Sequence, residues 1–256
     1  MHTDIRELLE FYASPLGARV RRILAHRVRA HWRNSAGRTL MGLGFATPFL
    51  GAFRGDVLRL GALMPAAQGA VIWPATGDIQ TVVVNEVNLP LPDNSVDLLL
   101  VAHCLETSEA VLPMLREIWR VLAGDGRVLF IVPNRRGVWA RFDRTPFGHG
   151  RPYSPAQLER LLNTAQLTPV RWDTALYIPP IESRLILRSA ATIERIGARV
   201  TPVFAGLVLV EACKDMLAPI AKPARMRRLT ELVPLRGAAE IGNRRMRFSA
   251  AVRRDR

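Results

Sequence analysis

Residues Leu40–Leu50, LMGLGFATPFL, decide the fold of this chain. Thr39–Leu43 is a short apolar run of strand type, Gly44 permits a tight turn, and Pro48 is favoured in the first turn of a helix. Further strand-length runs follow at Val57–Leu63, Thr81–Asn85, Val96–Ala102, Arg127–Val132, Pro169–Leu176 and Phe204–Ala212. Continuously apolar runs are typical of parallel strands that helices cover on both faces. We therefore predict an α/β fold with a mostly parallel sheet.

The chain before this stretch is predicted to be helical. Ile5, Leu8 and Tyr12 share one helical face, and Ser14, followed by proline, is a typical helix start. The second helix runs to about Trp32. We expect this pair to cover an edge of the sheet or to act as a lid.

Length and charge suggest one core with basic ends, since 256 residues with 49% hydrophobic side chains can bury a single good core. The net charge is +14; residues 1–38 hold eight arginines against three acids, and residues 222–256 hold eleven basic residues against three acids. Aromatic residues are not interleaved with these charges, which argues against nucleic-acid binding and favours solvated helix faces or a tail that docks on a partner. We predict a helical extension over residues 1–36, an α/β domain over 37–216 and a basic tail over 217–256.

Neither a membrane span nor a secretion signal is predicted. No uncharged apolar run approaches the ~20 residues that a span requires, and the N-terminal residues include acids where a signal peptide would be basic and then apolar. Cys104 and Cys213 are isolated, so neither a disulfide framework nor a zinc site is expected. The histidines and acids also lack metal-ligand spacing. We therefore expect a cytoplasmic protein without a metal.

A series of short motifs lies between Asn85 and Asn134. A Leu-Pro turn precedes a Ser-x-Asp strand opening, Leu-Glu follows that strand, and Glu-Ile-x-Arg-Val-Leu, a glycine turn and Val-Pro-Asn come next. Over roughly residues 38–215 the chain resembles the class I S-adenosylmethionine-dependent methyltransferases of the type 11 group. The resemblance implies a Rossmann-like, doubly wound, mostly parallel seven-stranded sheet with helices on both faces, preceded by the N-terminal helical extension.

The resemblance also implies a site for the methyl donor S-adenosylmethionine at the glycine turn. In the family, the first strand ends in an acid that is followed by Gly-x-Gly-x-Gly. Gly42 stands at the position of the acid here, and the three glycine positions are Gly44, Ala46 and Pro48. One acid and two glycines of the family pattern are therefore absent.

The other donor contacts implied by the resemblance fall at the ends of the second and third strands. The second strand has no acid at its end for the ribose hydroxyls, whereas Asn85 and Glu86 lie where the adenine amine is expected and can accept hydrogen bonds. Each lost charge-assisted hydrogen bond removes ~1.5–3 kcal/mol. We therefore expect S-adenosylmethionine to bind weakly.

Candidate catalytic and substrate-binding residues follow the fourth and fifth strands. His103 lies at the ligand side of the sheet and is the predicted general base, with Glu106 behind it; alternatively, His103 only walls the pocket or caps the strand. Polar or cationic side chains that could meet an acidic or phosphorylated substrate are Asn134, His149, Arg151 and Tyr153. The alternative for the loop residues is a segment tied down by its own hydrogen bonds.

Two functional hypotheses remain open. The first is a methyltransferase with a divergent donor site and an unknown small-molecule or macromolecular acceptor, which the family resemblance slightly favours. The second is a catalytically inactive methyltransferase-like subunit that binds or regulates a protein partner through its basic ends or the rim of its pocket. The missing acids favour this second hypothesis, and the fold does not separate the two because fold does not determine chemistry.

Overall fold

The computed structural model describes residues 4–200 and 204–215. In this part of the chain the strands are β1 (Thr39–Gly44), β2 (Arg59–Pro65), β3 (Thr81–Val84), β4 (Val96–Ala102), β5 (Leu122–Pro133), β6 (Leu167–Ala175) and β7 (Leu207–Lys214). The α-helices are α1 (Ile5–Ala13), α2 (Pro15–His31), α3 (Thr47–Leu50), α4 (Val111–Val121), α5 (Pro155–Thr164) and α6 (Arg184–Val200). No helix among the described residues combines the length and apolar character needed to cross a membrane.

All seven strands form one sheet in the order β3-β2-β1-β4-β5-β7-β6. Strands β1 to β5 pair in parallel, and β7 runs antiparallel between β5 and β6. The predicted architecture is therefore confirmed, with β7 as its antiparallel strand. Because β1 lies between β2 and β4, the carboxyl ends of these three parallel strands lie side by side at one end of the sheet.

Helices cover both faces of the sheet. On one face, α2 buries Val20 and Leu24 completely, together with side chains of α1, α3 and α6. On the other face, α4 buries Leu115 and Ile118 completely, together with side chains of α5. Two separate apolar layers therefore hold the strands, as the apolar strand sequences require.

The start of β5 differs from the prediction. The strand begins at Leu122, which pairs with Val96, and the register shifts before Leu98 pairs with Arg127. Residues Gly124–Gly126 therefore lie within an irregular strand instead of forming a separate turn after the helix. A bulge can absorb extra residues in this way while the ladder continues. β2 also begins and ends two residues later than predicted.

The two N-terminal helices meet at a single residue. Ser14 ends α1 and caps α2, because its hydroxyl oxygen accepts a hydrogen bond from the N–H of Gly17 at 3.0 Å. A Cβ on Gly17 would lie 1.8 Å from the carbonyl oxygen of Phe11, so only glycine permits this close crossing. The boundaries predicted for the extension and the α/β domain stay predictions, and the tail predicted over residues 217–256 lies outside the described residues.

Candidate functional site

The carboxyl ends of β1 and β4 lie side by side, because Gly44 is opposite Ala102 in the parallel pair. Gly44 has φ of +80°, and a Cβ on it would lie 2.3 Å from the carbonyl oxygen of Ala102. Both the backbone conformation and the contact with β4 exclude a side chain. Packing of the strands is therefore sufficient to explain this glycine.

The remaining positions of the turn leave no space for an acid. A Cβ on Gly42 would lie 2.7 Å from the Cβ of Ala46 and 2.8 Å from the Cδ1 of Leu50. Ala46 has φ of −86°, which any residue adopts, and Pro48 lies in the first turn of α3. The changes from glycine at these two positions are therefore compatible with the fold, and α3 packs where an acid would project.

A cluster of rings fills the space in front of this turn. Tyr12, Phe45, Phe49, His103 and Phe147, hereafter the ring cluster, are each at most 6% exposed. The ring centroid of Tyr12 lies 5.7 Å from that of Phe45 and 5.9 Å from that of Phe49. Phe147 lies 4.8 Å from His103 by the same measure. Because Tyr12 belongs to α1, this helix lies over the ends of β1 and β4.

His103 is held by contacts from three parts of the chain. Its Nε2 lies 2.8 Å from the hydroxyl oxygen of Tyr12, and its Nδ1 lies 3.6 Å from Oε1 of Glu106. The side-chain amide of Gln68 donates a hydrogen bond of 2.6 Å to the backbone carbonyl oxygen of His103. The backbone of His103 has φ of +52°, a left-handed conformation that few non-glycine residues adopt. Such strain is commonest at functional sites and turns.

Burial sets the protonation of these groups. It lowers the pKa of His103 to about 3 and raises the pKa of Glu106 to about 7. Burial also raises the pKa of Tyr12 well above its ordinary value, and the nearby Glu106 carboxylate adds to this effect. Neither carboxylate oxygen of Glu106 has a hydrogen-bond partner of ordinary geometry among the described residues, although the nearby backbone N–H groups of Cys104 and Glu106 act against the rise of its pKa. At neutral pH the site therefore holds a neutral imidazole, a neutral phenol and a partly ionised carboxyl group.

The ends of β2 and β3 do not direct a carboxylate into the ring cluster. β2 ends at Met64 and Pro65, which are both buried. Asn85 is exposed after the edge strand β3, and its side-chain oxygen accepts a hydrogen bond from the backbone two residues later. Glu86 is half-buried and accepts a hydrogen bond of 2.9 Å from the hydroxyl of Ser108. Asn85 and Glu86 thus lie two strands away from β1 in the order of the sheet.

The four candidate substrate-binding residues lie along one segment but face different surroundings. The amide of Asn134 and the hydroxyl of Tyr153 each donate to a backbone carbonyl oxygen, at 2.8 and 3.4 Å. The N–H of Arg151 donates to the carbonyl oxygen of Glu106 at 2.7 Å. His149 lines a cavity of about 740 Å³ beside α1, whereas Asn134 lines another of about 400 Å³ beside α5. Much of this loop is therefore tied down by its own hydrogen bonds.

The chain is similar to known proteins in part of its sequence and in its fold. A family model described as a methyltransferase domain matches residues 62–130. No curated protein matches the sequence. A Thermotoga maritima structure, described as an S-adenosylmethionine-dependent methyltransferase and possible histamine N-methyltransferase, is 15% identical with a TM-score of 0.57, over 82% of this chain and 95% of that one.

Two further known structures have a fold similar to that of this chain. An Archaeoglobus fulgidus S-adenosylmethionine-dependent methyltransferase is 16% identical with a TM-score of 0.55, over 76% of this chain and 94% of that one. One chain from a Haloferax volcanii complex between the Trm112 methyltransferase activator and a putative methyltransferase is 17% identical, with a TM-score of 0.51 over 74% and 92%.

The chain has the class I methyltransferase fold. The resemblance to this methyltransferase family is confirmed by the sequence match from β2 to β5 together with the fold. Among the described residues of this methyltransferase-like chain, no group of three or more His, Cys, Asp or Glu is arranged to hold a metal ion.

S-adenosylmethionine, the ligand that the family suggests, does not fit the described conformation of the turn. α3 packs against the face of Gly42 from which a carboxylate would project, and β4 packs against Gly44. Phe45, Ala46 and Phe49, which a ligand at this turn would have to contact, are themselves buried. In the described conformation, side chains of the chain itself therefore occupy the space in front of the turn.

The structure brings Gly44, Ala46 and His103 close together, whereas Asn85, which we expected in the same site, lies exposed after β3. It also adds residues that the sequence did not single out for this site. The sequence pattern places Tyr12 only on the apolar face of the first helix and gives no indication for Phe147. Neither residue carries a sequence signal for this position, because both reach the site through tertiary packing. The spacing Ile5, Leu8, Tyr12 did predict a covering helix, although not what it covers.

Proposed function

We propose that this methyltransferase-like chain acts as a binding subunit and does not itself transfer methyl groups. The observation that supports the proposal is the ring cluster, which occupies the ends of β1 and β4 with the side chains of the chain itself. The missing acid at Gly42 agrees with this, since α3 fills the adjoining space. We therefore prefer the binding subunit to the active methyltransferase that the family resemblance slightly favours.

Opening this site would be costly. Moving α1 away would expose Tyr12, Phe45 and Phe49, and exposing a large buried apolar side chain costs ~1.5–3 kcal/mol each. The donor would also lack two charge-assisted hydrogen bonds, which contribute ~1.5–3 kcal/mol each. Together these effects weaken binding by several powers of ten. A closed ring cluster is therefore better suited to a structural role than to repeated binding of a donor.

A surface suited to a protein partner is present at β3. This edge strand has four residues, and Val82 and Val83 are 46% and 56% exposed. Ile79, just before the strand, is 63% exposed. Unpaired edges with apolar side chains accept extended segments of other proteins as an additional strand. The Haloferax volcanii complex between an activator and a putative methyltransferase is a precedent for partner binding by this fold.

Titration with S-adenosylmethionine tests the proposal. We expect calorimetry to give no binding to the wild-type chain up to about 1 mM donor, a concentration that corresponds to about −4 kcal/mol. Leu9→Ala, on the exposed side of α1, is the matched control and should behave as the wild type does. Micromolar binding by the wild type would overturn the proposal, because other groups would then have replaced the missing acids.

A methyltransferase with a divergent donor site is the second candidate. The family match and the unpaired carboxyl group of Glu106 favour it. A buried carboxylate without hydrogen bonds costs stability, and strongly shifted pKa values are concentrated at functional sites. In this hypothesis Glu106 and His103 would accept a proton from the substrate, and α1 would have to move away from the turn.

Tyr12→Ala separates the two candidates, because it removes the hydrogen bond and the ring contact of Tyr12 with His103. If α1 only blocks a working site, the variant should bind S-adenosylmethionine at least tenfold more tightly than the wild type does. In the binding-subunit hypothesis the variant loses stability and still does not bind the donor. Leu9→Ala should change neither property.

A further inference from the structure

A separate cavity lies near the amino ends of the parallel strands, on the opposite side of the sheet from the carboxyl ends that the ring cluster covers. It has a volume of about 580 Å³, and four arginines contribute to its lining: Arg33, Arg38, Arg127 and Arg171. They come from the end of α2, the approach to β1, and strands β5 and β6. Among the described residues of the lining, Asp125 is the only acid. Four arginines and one carboxylate of the described chain thus line one concave space.

Few of the N–H groups of these arginines have partners. Arg38 lies 3.4 Å from the carboxylate of Asp125, which is itself 74% exposed, and Arg171 donates to the carbonyl oxygen of Ala30 at 3.4 Å. Arg33 and Arg127 make no side-chain hydrogen bond or ion pair with a described residue. Each guanidinium group carries five donors in a fixed planar arrangement. Most of the donors around the cavity therefore remain available to a ligand.

The acids behind the cavity wall already have other partners. Glu211 accepts hydrogen bonds from His31 at 3.0 Å and from the indole of Trp32 at 3.2 Å. Asp173 forms an ion pair with Arg27 at 3.2 Å. Asp173 is therefore engaged elsewhere, whereas Glu211 also interacts electrostatically with Arg127 and balances part of its charge. A concave surface with one sign of charge concentrates the potential and attracts multiply charged counter-ions.

We propose that this cavity binds a small molecule that carries a diphosphate group. Arginine recognises phosphate oxygens through paired, charge-assisted hydrogen bonds, and a diphosphate can contact several guanidinium groups at once. The volume lies in the range of small-molecule sites. This arginine site is independent of the ring cluster and of the function proposed for it, because the site and the ring cluster lie at opposite ends of the parallel strands.

Calorimetric titration of the full chain with inorganic pyrophosphate and with ADP tests this proposal. We expect both to bind with a dissociation constant below about 1 mM, and excess S-adenosylmethionine should not displace them. The double substitution Arg33→Gln/Arg127→Gln should weaken binding at least tenfold, since each phosphate contact of an arginine is charge-assisted. Arg33→Gln alone changes an exposed residue, so it preserves the fold and should weaken binding at least threefold.

The matched control is Arg188→Gln/Arg195→Gln on α6. It removes the same charge from exposed residues, and α6 packs near residues 176–178, after the carboxyl end of β6. This variant should bind pyrophosphate within twofold of the wild type. Equal weakening by the control would show attraction to net charge only and would overturn the proposal. Absence of binding to the wild type, or tighter binding of a single-stranded oligonucleotide than of pyrophosphate, would also overturn it.

Discussion

The carboxyl group of Glu106 has an unusual environment for an acid in this chain. It is buried beside His103, and neither of its oxygens has a hydrogen-bond partner among the described residues. Its folded pKa of about 7 lies above the ordinary value of 4.5, because burial disfavours the ionised form. The ionised carboxylate therefore destabilises the fold. This cost is absent well below pH 4.5, increases as the pH rises through that range, and is complete above pH 7.

Glu106→Gln should consequently stabilise the chain at alkaline pH. At about 1.36 kcal/mol per pH unit, we expect the free energy of unfolding to rise by about 3 kcal/mol at pH 8 and by less than about 1 kcal/mol at pH 5. Urea denaturation at the two pH values measures this difference. No gain at pH 8 would mean that the carboxylate has compensating partners in solution.

Gly42→Asp should destabilise the chain without creating donor binding. The new Cβ would lie 2.7 Å from Ala46 and 2.8 Å from Leu50, and the carboxylate would be buried without a partner. We expect a loss of ~1–3 kcal/mol from the unpaired polar group, in addition to the steric cost. Gly42→Ala measures the steric part alone. Tighter binding of S-adenosylmethionine by tenfold in the aspartate variant would contradict this account and favour an open donor site.

At the scale of elements, α1 and α6 are attached to the domain in different ways. α1 contributes apolar and aromatic contacts, of which Tyr12 is central. α6 adds a polar attachment to its apolar contacts: Glu194 accepts hydrogen bonds from the backbone N–H groups of residues 176–178, between 2.6 and 3.2 Å. A buried carboxylate that accepts several N–H groups is satisfied, in contrast to Glu106.

Burial raises the pKa of Glu194 as it does that of Glu106, but Glu194 accepts three backbone hydrogen bonds that a glutamine cannot all replace, so Glu194→Gln should destabilise the chain. The amide replaces an acceptor oxygen with an NH₂ group that faces backbone donors, and the loss should be ~1–3 kcal/mol. Hydrogen exchange of the amides of residues 176–178 should become faster, because these groups lose acceptors. Arg195→Gln, exposed on the same helix, is the control and should leave exchange unchanged. Unchanged exchange in the Glu194 variant would show that other contacts hold α6.

The elements were easier to predict from sequence than their contacts. The helix start at Ser14 and the strand Val96–Ala102 follow from local patterns, namely a capping residue with proline and a continuous apolar run. The start of β5 was predicted wrongly, because a glycine-rich turn and a bulged strand have the same local composition. Pairing with Val96 on the neighbouring strand selects the strand, and this pairing is not encoded locally.

At the scale of the whole molecule, the two ends of the parallel strands have different chemistry. The carboxyl ends, where ligands of open α/β sheets bind, are covered by the ring cluster. The amino ends hold a cavity lined by four arginines. Similarity to methyltransferases at 15–17% identity establishes the fold and does not establish at which end a ligand binds.

The sequence alone determined the α/β class, the parallel strands and the absence of acids at the donor position. These are local properties: apolar runs and residue identities at fixed spacing specify them without reference to the rest of the chain. Tertiary structure alone decided that Tyr12 lies against His103, 91 residues away, and that four arginines from separate elements share one cavity. The packing of α1 and α2 on the sheet brings these side chains together, and the orientation of a helix depends on the whole surface that it buries.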